Sequence, residues 1–474
     1  MADGPLEAAA GNSPIRAIVK FKDAQPLPKL APTAENHREI ELAMIRNARA
    51  SQAAAARFND FQNRQDSGQG QAQSQTLWLF NAAIVDMPGN RLRAFSAMDG
   101  IEAIFANRAA QLSKSPRAVA TAFAPGAALP TSHAGPLVKS LLASPAAPLD
   151  EGLHYTEGMK LMQLPGLRQL MPDLSGTGVK VGIIDSGIDA SHSSLAGRLL
   201  LYKDFTATAK AEPSDENGHG THVSGTIAAS SGWDFRLGVA PEARLIVAKV
   251  FDPAGNADDA ALLKAMQWMA DPDGDPNTND FPSVVNNSWG DSAPDASLDP
   301  SAVPGCQAVA AWAKLGMLPV FAAGNHGPDA QTGDLPSSCP DALSVGAIDK
   351  DGNVAPFSGR GPATWKAGPT QKPQVMAYGM NVLSTVPGGS FATKSGTSMA
   401  APHVAGLAAL YYQLHPKASV GEAVKAMTDA AAPMGDKTPN YDSGYGRANA
   451  LKVFSGGAPS QPAPAPPIPT DGEG

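Results

Sequence analysis

The chain is poor in cysteine, poor in charge, and without a basic excess or a long apolar run, and each shortage removes a class of protein. Its 474 residues include only Cys306 and Cys339, neither in a CxxC pair, so a cysteine metal site or a dithiol redox site is not expected. On residues alone two states stay open for them. They are a pair of buried free thiols, or one disulfide worth roughly 3 to 4 kcal/mol in the loop-entropy account, which would imply an oxidising compartment. Charged residues make up 17%, below the usual quarter or so, which excludes a coiled coil. Acidic residues outnumber basic ones, 44 to 36, for a net charge of -8. No basic patch with interleaved aromatics occurs, so nucleic acid is not expected as a partner. No apolar run approaches spanning length, so no membrane insertion is expected. The opening Met1-Ala-Asp-Gly-Pro-Leu-Glu7 has neither a basic nor an apolar leader region, so no secretory signal is expected there.

What is present is glycine and proline, 47 and 42 residues, in a chain long enough for two or three domains. Residues 1–14 are expected to be disordered. Across 15–108 the pattern is that of a small α+β module with one sheet. Ile15–Phe21 reads as a strand, 33–64 as a long helix, Thr76–Val85 as a strand or two, Asn90–Met98 as a short helix and Ile101–Phe105 as a last strand. Residues 109–152 are dominated by Ala, Pro and Ser and read as a linker, and 456–474 as a Pro-rich disordered tail. Between them, 153–455 repeats short apolar strands and helical segments. The strands are Val179–Ile184, Leu245–Val250, Val284–Ser288, Leu318–Ala322 and Leu343–Ile348, with helices at Asp258–Ala270 and Ala302–Leu315. That alternation predicts an α/β fold, a three-layer doubly wound and mostly parallel sheet. Such sheets collect functional residues at the carboxyl ends of their strands.

The stretch Gly396-Thr-Ser-Met-Ala-Ala-Pro-His-Val-Ala-Gly406 reads as a serine at a helix start. Pro402 is expected in the first helical turn, where its missing N–H has no partner. The run of small residues predicts a helix passing through the interior with close neighbours. Ser398 is then either an N-cap or a nucleophile. The second reading needs a base and an orienting acid, and both are at hand. Asp185 ends an apolar strand, and His219 lies between glycines in Asp215-Glu-Asn-Gly-His-Gly-Thr-His222. A neutral imidazole can take the serine proton while a buried carboxylate holds its tautomer. Asn325, after the strand ending at Ala322, and the N–H of Ser398 would supply an oxyanion hole. A rival use of His219 and His222 is a metal pair, although zinc peptidases space their histidines i, i+4 with an adjacent Glu.

Asp185-Ser-Gly, His219-Gly-Thr-His-Val-Ser-Gly-Thr226 and Gly396–Gly406 resemble, in the same order, the three catalytic blocks of the subtilisin-like serine peptidases, the subtilases. The resemblance spans about 153–455 and implies that Asp185, His219 and Ser398 form the triad, with Asn325 as oxyanion residue. It further implies that Ser288-Trp289-Gly290 pairs with an extended substrate backbone. The 15–108 module is similar to subtilase propeptides, which implies a precursor cut by itself between Asn107 and Leu153, with the propeptide as intramolecular inhibitor. Cys306 and Cys339 fall near positions that some secreted relatives join, which implies a disulfide and an exported protein. Asp334, by position, could reach the primary specificity pocket and favour Lys or Arg, or be a surface acid.

The function expected is therefore a serine endopeptidase acting on protein or peptide substrates through an acyl-enzyme, with no cofactor for catalysis. A catalytically silent binding scaffold of the same fold is the alternative, and a metallohydrolase on His219 and His222 a third reading. Asp271-Pro-Asp-Gly-Asp-Pro-Asn-Thr-Asn-Asp280 concentrates oxygen ligands. Either calcium binds through Asp271, Asp273, Asp275 and Asp280, or the loop is simply solvated acid, since Gly274 is misplaced for an EF-hand.

Overall fold

A computed structural model describes residues 14–65, 74–89, 96–112 and 154–455, except 233 and 292. The expected disordered N-terminus, most of the expected helix at 90–98, nearly all of the expected linker and the tail lie outside these residues. In the first unit, β1 (Pro14–Phe21) is followed by the long helix α1 (His37–Gln65). Then come β2 (Ser74–Leu77), β3 (Ala82–Pro88) and β4 (Ile101–Ala106). They form one antiparallel sheet in the order β2-β3-β1-β4. Side chains alternate across a strand, and both faces here are apolar. Ala17, Val19 and Phe21 enclose a small core with Val85 and Ile104. Ile18, Ile84 and Phe105 join Ile40 and Met44 of α1 in a cluster that continues into the second unit.

The linker expected from residue 109 starts later than its composition suggests. Ala109–Gln111 is a strand, β5, and its partner lies in the other unit. Three residues give too short a pattern to stand out from an Ala/Pro/Ser background.

The second unit runs through β6 (Lys180–Asp185), β7 (Leu199–Asp204), α2 (His219–Ala228), β8 (Arg244–Lys249), β9 (Asn256–Asp258), α3 (Asp259–Ala270) and β10 (Val284–Asn287). It continues with α4 (Pro304–Lys314), β11 (Leu318–Ala322), β12 (Leu343–Ile348) and β13 (Val375–Tyr378). The hairpin β14 (Val382–Val386) and β15 (Ser390–Lys394) leads into α5 (Thr397–Leu414). Seven strands make one parallel sheet in the order β13-β12-β11-β10-β6-β8-β7, with helices on both faces, so the expected α/β fold is borne out. The two edge strands β7 and β13 escaped the sequence reading. β7 is only half buried, partly covered and exposed residues taking the place of an apolar run, and β13 has only four residues. Among the described residues no helix is long and apolar enough to cross a membrane.

Helix α5 is buried along nearly its whole length, as its small side chains predict. Pro402, however, is not in the first turn. The helix starts at Thr397, so Pro402 falls in the second turn, where its absent N–H deprives the carbonyl of Ser398 of its helical partner. Cys306 of α4 and Cys339, just before β12, form a buried disulfide with a Cα–Cα separation of 5.3 Å. The free-thiol reading is thereby set aside.

Candidate active site

Asp185 is the last residue of β6 and fully buried. Its carboxylate accepts the Ser186 N–H at 2.7 Å and faces Nδ1 of His219 with its two oxygens at 2.8 and 3.1 Å. His219 opens α2, where Gly218, at φ 80°, turns the chain into the helix. The next residue must be glycine, because a Cβ on Gly220 would lie 2.1 Å from the Gly187 carbonyl oxygen. With the proton on Nδ1 held toward the carboxylate, Nε2 is left as the acceptor.

Asp215 braces this pair, a role the sequence reading did not assign. Buried, it accepts the Ser186 hydroxyl at 2.8 Å, the Gly218 N–H at 2.8 Å, and both the N–H and the hydroxyl of Thr221 at 2.8 and 2.6 Å. Ser186 in turn accepts the Gly220 N–H at 2.9 Å. Four residues ahead of His219 in a Gly-rich turn, an aspartate is a ready acceptor of helix-start amides, and that was the available signal.

Ser398 is the second residue of α5, with Gly396 as N-cap. The structure pairs it reciprocally with Ser288, just after β10. The Ser398 hydroxyl donates to the Ser288 carbonyl at 2.8 Å, and the Ser288 hydroxyl donates to the Ser398 carbonyl at 2.8 Å. The second bond occupies the carbonyl that Pro402 leaves open. In this conformation Ser398 makes no hydrogen bond to His219. Asn325 follows β11 and accepts from Thr397, N–H at 2.9 Å and hydroxyl at 3.0 Å, through Oδ1. Its Nδ2 is buried without a partner. A buried donor left unpaired is costly, by about 1 to 3 kcal/mol, and this one sits beside the start of α5, where a Cβ on Gly396 would be 3.4 Å from it.

The remaining candidates divide. Trp289 is 4% exposed, its ring against Phe321 and Phe251 at 5.6 and 6.3 Å, so its side chain belongs to the core. Asp334 is buried and faces Nδ1 of the half-exposed His326 at 2.9 Å. It lies against two glycines: a Cβ on Gly290 would fall 2.7 Å from the Asp334 Cβ, and one on Gly324 2.6 Å from its Cγ. The surface-acid reading of Asp334 does not hold. His222 turns Nε2 to the carbonyls of Val382 and Ala392 at 2.9 and 3.2 Å, and burial pushes its pKa well down. Among the described residues the one group with metal-ligand spacing is Asp271, Asp273 and Asp280. That group includes neither histidine nor Asp275, whose Oδ1 accepts the N–H and the side-chain amide of Asn277.

Along the rim runs β5. Its antiparallel partner is β9, and the pairing is extended by the Leu112 N–H, which donates to the Gly255 carbonyl at 2.8 Å. Asn107 donates to the Asp258 carboxylate at 3.1 Å. A cavity beneath is lined by Ala110, Leu262, Trp289, Gly290 and Leu335, so the end of the first unit lies beside the segment that follows β10.

Known proteins match the same region. A model described as the subtilase family of peptidases matches residues 176–446. Subtilisin Savinase of Lederbergia lenta is 37% identical over 279 residues, 58% of this chain and 91% of that protein. Serine protease AprX of Bacillus subtilis is 34% identical over 307 residues, 60% of this chain and 67% of that protein. Bacillopeptidase F of the same organism is 34% identical over 308 residues, 59% of this chain, and the match spans only 21% of that longer protein. A family match over more than half of the chain and one relative covered almost end to end agree with the parallel sheet and with the grouping at its strand ends, and the chain belongs to the subtilase family of serine-type endopeptidases.

Proposed function

We propose that the chain cleaves internal peptide bonds of protein substrates with Ser398 as nucleophile, His219 as general base and then acid, and Asp185 as the group that orients His219. The observation that carries this reading is the unpaired Nδ2 of Asn325 beside the N–H of Ser398 at the start of α5. A silent binding scaffold has no use for a buried amide donor without an acceptor. A tetrahedral oxyanion supplies one.

Binding of substrate places a carbonyl carbon over Ser398, whose hydroxyl leaves the Ser288 carbonyl and gives its proton to Nε2 of His219. The new Ser398 Oγ–carbon bond pushes charge onto the carbonyl oxygen, where Asn325 and the Ser398 N–H meet it. His219 then protonates the departing amine, and water repeats the sequence to release the acid. A fluorophosphonate probe should label wild-type protein once, at Ser398, and leave Ser398→Ala unlabelled. Labelling that persists in the variant would overturn the assignment.

We also propose that residues 15–108 act as propeptide and inhibitor. β5 occupies the edge of β9 that an extended substrate would use. Since this pairing reaches Leu112, the self-cut belongs beyond it, within 113–153. The disulfide supports export to an oxidising compartment.

Asp334, beneath Gly290 and Gly324, is proposed as the acid of the primary specificity pocket. Peptides with Arg or Lys before the cut bond should outrun those with Phe. Asp334→Asn should lower kcat/KM for Arg about 10- to 100-fold, the worth of one charge-assisted hydrogen bond. A strong Phe preference in the wild type would remove the idea.

A further inference from the structure

Residues 107–112 cross from the first unit onto the second, and their side chains divide by position. In β5 the burial alternates, with Ala109 and Gln111 exposed and Ala110 buried, as a strand with one covered face requires. Ala110 lines the cavity with Leu262, Trp289 and Leu335. Leu112 lies over Gly255, where an added Cβ would be 3.4 Å from its own. One step upstream, with the same period of two, comes Arg108. Its carbonyl accepts the Asp259 N–H at 2.9 Å, and its own N–H donates to Oδ2 of Asp259 at 3.3 Å. Its guanidinium Nε lies 3.5 Å from the same carboxylate oxygen.

These contacts ask different things of a partner. The two backbone bonds accept any residue, whereas the guanidinium contact asks for positive charge. Arg108 is the one cation paired with Asp259 among the described residues. The neighbouring Asp258 is committed, its Oδ1 accepting the Ala261 N–H at 2.8 Å and its Oδ2 the Asn107 amide at 3.1 Å. An acid as the first residue of α3 favours the helix dipole, but that use needs no strand beside it. Asp259 stays with the peptidase unit when the module leaves, at the edge of β9 that a substrate strand takes next. A substrate in the register of β5 then sets one of its own side chains where Arg108 lies.

We propose that Asp259 is a specificity-determining residue that selects, in protein substrates, a lysine or arginine well upstream of the cut bond. The inference rests on the peptidase reading and on β5 marking the path of a substrate. It adds a second point of charge recognition, remote from the residue directly before the cut that Asp334 addresses.

The test lets the wild-type full chain process itself and then digest an unfolded protein of known sequence, with the released peptides read by mass spectrometry and aligned at the cut. Lys or Arg should be enriched at one fixed position at least five residues ahead of it (108 to 112 inclusive), because Leu112 still pairs with Gly255. Two quenched peptides built on the best-cut sequence, with Arg or Gln at that position, should differ in kcat/KM by about two- to fivefold, the worth of a partly exposed ion pair. The difference should lie mainly in KM, since the contact is remote from the reacting bond. Asp259→Asn, which can still accept the backbone N–H, should bring the ratio close to one. Asp259→Glu should keep the preference, and Asp259→Lys should turn it toward a peptide with Glu at that position. A purely structural role for Asp259 would lower both peptides alike and leave the ratio as in the wild type. That result, or no upstream enrichment, would overturn the proposal and leave the peptidase reading standing. No cleavage of any protein would overturn both.

Discussion

Ser398→Ala should lower kcat by about a millionfold, a size taken from the corresponding loss in a subtilisin, with the fold unaffected. Ser398 is 2% exposed and the one hydrogen bond of its hydroxyl goes to the Ser288 carbonyl, so its removal leaves one acceptor short of a donor, at a cost of about 1 kcal/mol. The other half of the pair, Ser288 hydroxyl to Ser398 carbonyl, is backbone-directed and survives. Initial rates on a protein substrate, with a melting curve of the same sample, check both parts. A variant that kept a hundredth of the wild-type rate with an unchanged melting curve would mean another nucleophile. Replacing His219 as well should add almost nothing, because base and nucleophile act as one unit.

Asn325→Ala should lower kcat by about 100- to 1,000-fold with a small change in KM, again a magnitude established on a subtilisin. Nδ2 has no ground-state partner, so nothing on the donor side is broken before substrate binds, and its hydrogen bond strengthens as charge moves onto the oxygen. Oδ1 has a different duty, accepting from the N–H and hydroxyl of Thr397. Asn325→Asp separates the two, since it keeps that acceptor and abolishes the donor. If the hole is the reason for the loss, both variants fall alike in kcat. If Asn325 merely anchored Thr397, Asn325→Asp would retain most of the rate.

The candidate constellation was legible because each member marks the end of a local pattern. Asp185 stops an apolar strand and Asn325 follows another, while His219 and Ser398 begin helices at glycines. Strand bounds came within a residue for the five inner strands β12, β11, β10, β6 and β8. What stayed hidden depends on partners far apart in the chain. β5 is recognisable only through β9. Asp275 fits the same oxygen-rich pattern but lies outside the group with metal-ligand spacing, its Oδ1 accepting from Asn277. Pro402 was placed one turn too early because the usual rule asks where a proline does no harm, and here the missing bond has a use.

That use bears on how the nucleophile keeps its position. In an unbroken helix the Ser398 carbonyl would answer to residue 402, and Ser398 would move with its own helix. With proline there, the carbonyl is fastened by Ser288, beyond the end of β10. The proposed nucleophile is thus indexed to the central sheet, which also carries Asp185 and leads to Asn325. A tilt or slide of α5 within its packing then leaves the distances that matter for chemistry measured from a single frame.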